Sequence, residues 1–139
     1  MKKTCILTLA LLLSIVMTAQ AGNLIVIANK GVSESSLSRV DVQNIFLGKT
    51  VLWPDGKKMN PAVLKSGAVH ESFLNELLGK NAGQFDTFWK QAVFTGKGRP
   101  PKVVGSEAEM VQYVGATDGA VGYINADTAH AEVKAITIK

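Results

Sequence analysis

Lys65, Ser66, Gly67 and Ala68 sit between a short apolar run, Ala62, Val63 and Leu64, and a segment in which Val69, Phe73, Leu74, Leu77 and Leu78 recur at helical spacing. Gly79 follows as a helix-ending C′ glycine. A strand that enters a helix through a Ser-Gly turn aims the helix's free N–H groups and the positive end of its dipole into that turn. This arrangement suits an anion. Lys65 adds a full positive charge, and His70 in the first helical turn is a further candidate donor. The chemistry on offer is oxyanion binding by residues 65–68 and His70. The same residues also read as an ordinary helix start. In that reading Ser66 is an N-cap worth about 1 kcal/mol, Lys65 is a solvated strand-end cation, and His70 is an exposed polar residue beside Val69.

Other chemistries find less support. His70 and His130, the two histidines, lack the H-E-x-x-H or H-x-H spacing of a zinc site. There is no G-x-S-x-G elbow, and no nucleophile, base and orienting group come together in sequence. The chain therefore reads as a non-enzyme without metal or cofactor. The single cysteine, Cys5, lies near the amino terminus.

Lys2 and Lys3 precede an apolar run from Ile6 to Met17, and Ala19 and Ala21 form an A-x-A pair. Residues 1–21 read as a secretory signal peptide cleaved after Ala21. The run is shorter than the roughly 20 residues that span a bilayer, which argues against stable membrane insertion. A lipid-attached cysteine would stand at the cleavage site, whereas Cys5 lies ahead of most of the apolar core. Residues 22–139 then form one exported, soluble domain without cysteine, which excludes disulfides and thiol catalysis. Without Lys2 and Lys3, 13 basic residues face 11 acidic ones, too mild an excess to imply nucleic acid.

The elements that must position the turn alternate between strand and helix. Leu24 to Ala28 is a continuous, β-branched run suited to a strand buried on both faces, as in a parallel sheet covered by helices. Ser38 and Asp41 open a helix over residues 39–47 with Val42, Ile45 and Phe46 inward, ended by Gly48. Trp53-Pro54-Asp55-Gly56 is a turn, with Trp53 as a packing anchor. Asn81 and Gln84 open a helix whose core stripe is Phe85, Phe88, Trp89, Ala92 and Val93. The stretch from Gly96 to Lys102 holds Lys97, Arg99 and Lys102 among glycines and prolines; lacking a Walker pattern, it reads as a solvated connection. Ser106 and Glu109 form a capping box ahead of Met110, Val111 and Val114. Thr117-Asp118-Gly119 turns into a buried strand over residues 120–124, and residues 133–138 alternate like an edge strand. The pattern predicts a three-layer α/β/α sandwich with a mainly parallel sheet. Ligands collect at the carboxyl ends of such strands, where the 64–67 turn lies.

Four motifs occur in order: Ile45-Phe46-Leu47-Gly48-Lys49 with Trp53 and Asp55, then Lys65-Ser66-Gly67, then Phe94-x-Gly96-Lys97-Gly98, and Thr117-Asp118-Gly119-Ala120-Val121-Gly122-Tyr123. Together they resemble the phosphate-binding proteins of bacterial ABC transporters, nearest to small, single-domain members. The resemblance implies one lobe of a type II periplasmic binding protein, a periplasmic location, and phosphate or a similar oxyanion as ligand. As partner it implies an ABC transporter permease or another envelope protein. A binding or accessory module that keeps the fold but contacts another protein is the alternative. The large members of that family read Arg-Ser-x-Gly-Ser-Gly-Thr where this chain has Lys65-Ser66-Gly67-Ala68, and Asp118 stands where they have proline. They also close two lobes on phosphate, whereas this chain resembles only the second. A second surface, from a homodimer or a partner, is the expected way to cover the turn.

Overall fold

In the computed structural model, which describes residues 23–139, the strands are β1 (Leu24–Ala28), β2 (Ser36–Leu37), β3 (Asn60–Leu64), β4 (Lys102–Val104), β5 (Ala120–Asn125) and β6 (Lys134–Ile138). Helices α1 (Arg39–Phe46), α2 (Ala68–Phe73), α3 (Ala82–Phe94) and α4 (Glu107–Ala116) connect them, and α2 runs directly into a π-helical turn, Leu74–Leu78. The expected signal segment lies outside the described residues.

One six-stranded sheet has the order β2-β6-β1-β5-β3-β4. The pairs β2 with β6, β3 with β5 and β3 with β4 are parallel, while β1 runs antiparallel to both β5 and β6. The sheet is thus mainly parallel, and β1 is its one reversed strand. Val26, Ile27 and Ala28 are buried as the apolar run predicts. Burial on both faces reflects helical cover rather than hydrogen-bond direction, so composition is silent on the reversal.

The two faces of the sheet can be read along β5. Tyr123 stacks on Phe73 with ring centroids 3.8 Å apart and meets Phe46 edge-on at 6.2 Å, so α1 and α2 cover this side. Such aromatic pairs add about 0.5–1.5 kcal/mol each beyond their buried area. Gly122 faces the other way, beneath α4, where a Cβ would come within 2.5 Å of Met110 Sδ. Helices on both faces make the expected three layers.

Local signals account for most boundaries. Ser38 Oγ accepts from Asp41 N at 3.0 Å, and the Asp41 carboxylate accepts from Ser38 N at 2.9 Å, closing a capping box before the buried Val42, Ile45 and Phe46. Asn81 and Gln84 do the same for α3. At α4, Ser106 Oγ accepts from Glu109 N, but the Glu109 carboxylate reaches one residue farther back to Gly105 N at 2.8 Å, so only half of the expected box forms. Gly119 has φ +72°, and a Cβ there would lie 2.0 Å from Lys58 O, so both conformation and space call for glycine. Trp53 is buried as an anchor, and its indole N–H donates to Gly119 O at 2.9 Å.

Three expectations change. Residues 134–138 are not an edge strand, because the two-residue β2 pairs beyond them. The edges are instead β2 and β4, and β4 begins at Lys102, where sequence suggested only a connection. Val93 leaves the core stripe and is 53% exposed. None of the described helices is long and apolar enough to cross a membrane.

Candidate ligand-binding site

β3 delivers the turn to the carboxyl edge of the sheet. Leu64 N donates to Tyr123 Oη at 2.9 Å, and Lys65 N donates to Val104 O at 2.9 Å, so both strand neighbours hold the last residues of β3 in place. The chain then passes through Ser66 to Gly67, which has φ 104° and ψ 175° and is the N-cap of α2, without a side-chain cap bond. Ser66 is therefore not the expected cap. The swing from strand to helix takes one more residue, in a conformation that favours glycine, so the cap position carries no side chain.

Glu71 N donates to Gly67 O at 3.0 Å as the first helical bond. The N–H groups of Ala68, Val69 and His70 come before any intrahelical partner, and among the described residues no side chain caps them. Lys65, Ser66, Gly67 and Ala68 are all exposed beside these three donors. The exposed Glu71 carboxylate shares this first turn, where the dipole favours it and where it opposes an incoming anion.

His70 is only 5% exposed, which overturns its reading as an exposed polar residue. Its Nδ1 lies 2.5 Å from Tyr123 Oη. Because that oxygen already accepts from Leu64 N, the phenolic proton has Nδ1 as its partner. The reverse assignment would leave the proton of a fully buried tyrosine unpaired, at a cost of about 1–3 kcal/mol. His70 is thus the neutral tautomer with its proton on Nε2. Burial lowers its pKa, opposed by the Asp86 and Glu71 carboxylates. Burial also pushes the Tyr123 phenol up, so it stays protonated.

A groove of about 510 Å³ opens where His70 ends. Val63, Leu64, Phe85, Trp89, Pro101 and Val103 form its apolar walls, and Lys65 and Lys90 stand with Asp86 among its lining. Phe94, 92% exposed, belongs to its lining as well. A second cavity of about 400 Å³ lies at the opposite ends of β3 and β4, with Trp89 and Pro100 shared between the two hollows. Its lining brings Lys58, Lys97, Arg99 and Lys102 together with Asn60 and Tyr113. The 96–102 segment, read as a solvated connection, thus supplies three of four converging cations. The signal was its cation density, and Lys58 joins only through the fold. Among the described residues no group of three His, Cys, Asp or Glu side chains is placed to hold a metal.

No protein-family model matches the chain, and no curated protein does. Solved structures do. An ABC-type phosphate transport receptor from Vibrio cholerae superposes with a TM-score of 0.67 at 20% identity, over 84% of this chain and 46% of the receptor. PstS from Borrelia burgdorferi gives 0.66 at 18%, over 85% and 47%. A phosphate-binding protein from Stenotrophomonas maltophilia gives 0.62 at 16%, over 85% and 39%. The chain spans less than half the length of these proteins. Its fold is that of about half of a phosphate receptor, in line with the lobe expected from sequence.

Proposed function

We propose that the chain is a periplasmic solute-binding domain for phosphate or a related oxyanion, serving an ABC transporter. One observation carries the reading: at the carboxyl end of β3, the side-chain-free cap at Gly67 leaves the Ala68, Val69 and His70 amides open beside Lys65. Fixed N–H donors at a helix start need no reorganisation to receive an anion. Ser66 contributes its hydroxyl, and His70 contributes its backbone N–H rather than its ring. The solved structures that share the fold include a phosphate transport receptor and a phosphate-binding protein, which supports the ligand class. The reading involves no catalysis, and hydrolysis of a phosphate ester by the purified protein would contradict it.

An oxyanion on an exposed turn keeps much of its surface in water, where attraction is weak. Binding by a monomer belongs nearer to millimolar than micromolar, about −4 rather than −8 kcal/mol. Tight binding requires a second surface, from another copy or a permease. The test is calorimetric titration with phosphate and sulfate while light scattering reports mass: micromolar affinity in a persistent monomer contradicts the need for a second surface, and silence toward both anions removes the oxyanion reading. An accessory, protein-contacting module is the second reading, favoured by the uncovered apolar side chains of Val93, Phe94 and Val103.

A further inference from the structure

The groove beside His70 combines two properties that the oxyanion reading does not use. Its walls are almost wholly apolar, and its volume of about 510 Å³ falls in the range of small-molecule sites. The one buried polar side chain in its lining is the His70 ring, 5% exposed; Lys65, Lys90 and Asp86 join the lining as exposed charges. Nδ1 is taken by Tyr123, so the remaining donor is Nε2–H. Among the described residues that nitrogen has no hydrogen-bond partner, and it is not a sealed orphan, since no fully enclosed side-chain nitrogen or oxygen there lacks a hydrogen bond. The cavity that His70 lines is this groove, so Nε2–H opens into it.

A donor fixed in place on a half-enclosed ring, its tautomer set by a second residue, offers a preorganised N–H to a ligand that displaces water from it. It asks for an acceptor. Lys65 and Lys90 line the same groove against one carboxylate, Asp86, and the balance favours a negative one. The remaining contact surface, from Phe85, Trp89, Pro101, Val103 and Phe94, asks for an apolar body. Inorganic phosphate meets only half of this description, because it would desolvate against hydrocarbon walls.

We infer that the groove is a second binding site, for a small monocarboxylate with an apolar tail, its carboxylate accepting from His70 Nε2–H beside Lys65 and its tail lying along Phe85, Trp89 and Phe94. The inference stands apart from the oxyanion proposal: phosphate can be silent while the groove fills, and the reverse.

Octanoate and 3-phenylpropanoate are the probes, with 1-octanol as the matched tail lacking the acceptor charge. Calorimetry on the purified protein is expected to give octanoate a dissociation constant on the order of 1 mM or tighter, and 1-octanol at least about tenfold weaker. A long-range ¹H–¹⁵N spectrum is expected to show His70 as the Nε2–H tautomer and to shift Nε2 on adding octanoate. Phe94→Ser, at a side chain 92% exposed, is expected to weaken octanoate several-fold while leaving the fold and the His70 tautomer intact. Absence of octanoate binding, equal binding of octanol and octanoate, an Nδ1–H tautomer, or binding that leaves the His70 nitrogens unmoved would each overturn the inference. A dimer that buries Phe94 and shuts out octanoate overturns it as well.

Discussion

On one side of Trp89, the carboxyl end of β3 offers donors whose positions are set by backbone and burial: three amides behind Gly67, and one imidazole N–H held by Tyr123. Its net charge is modest, with Lys65 and Lys90 offset by Glu71 and Asp86. On the other side, Lys58, Lys97, Arg99 and Lys102 crowd a cavity whose cations all come from exposed side chains. One end is preorganised and carries little net charge; the other is densely cationic, on long, solvated side chains. Charges on long, solvated side chains attract anions at long range and lose that attraction to salt. Fixed donors act at short range through hydrogen bonds, and they pay no ordering cost when the ligand arrives.

Trp89 is the wall common to both hollows, buried and donating to Phe46 O at 3.2 Å. Trp89→Ala is expected to cost about 3–5 kcal/mol in urea denaturation and to merge the two environments; a loss under about 1 kcal/mol would mean that the wall is not structural. Tyr123→Phe acts on one side only. Leu64 N loses its acceptor and His70 Nδ1 its donor, for about 1–3 kcal/mol. Amide exchange should quicken at Leu64 while protection along β1 and β6 follows only the global change.

Phosphate affinity separates the two ends directly. Lys65→Ala is expected to weaken phosphate roughly tenfold, about 1.4 kcal/mol, with Arg99→Ala nearly silent at physiological salt. The opposite ranking, with a steep salt dependence, would move the anion to the cationic cavity. Acid provides a further contrast. His70 has a folded pKa depressed by burial, so the unfolded chain protonates first as pH falls through the ordinary histidine range near 6.5. The stability tied to neutral His70 is fully present above that range and is lost as pH falls toward the folded value. The charged groups around it are Asp86 of α3, Glu71 of α2 and Lys65, with the neutral Tyr123 of β5. A melting temperature that holds on acidification from pH 7 to 5 in wild type but falls in His70→Gln would refute this origin. The smallest effect belongs to Ser66→Ala, expected within about 0.5 kcal/mol because the hydroxyl caps nothing.

That last value shows where sequence reasoning stops. Ser38 with Asp41 and Asn81 with Gln84 were legible because both halves of each box lie within one turn. The 65–68 turn has the same kind of composition, yet its cap moved one residue, since the backbone path from a buried strand set the requirement. β2 and β4, two and three residues long, are too short to carry a period. The 74–78 segment reads as continuous helix, but it closes as a π turn whose Leu77 carbonyl accepts from Gln43 Nε2 on α1. His70 could not be placed at all without Tyr123, which lies on a different element and selects its tautomer. The 65–68 turn was visible as a local pattern; the groove and the cationic cavity arise only from packing.

The reversed strand has a consequence in time rather than in space. β1 begins the described chain, yet its register partners all lie near the other end: Val26 pairs with Tyr123 and with Ile136. No local hairpin can form it early, and closing so long a loop carries its entropic cost before any ladder bond repays it. A growing chain that stops short of Ala120 holds helices and the β3–β4 pair but no centre, with its most apolar strand exposed. The centre of the sheet closes only once β5 and β6 are available, and truncations of the final two strands leave β1 without either partner.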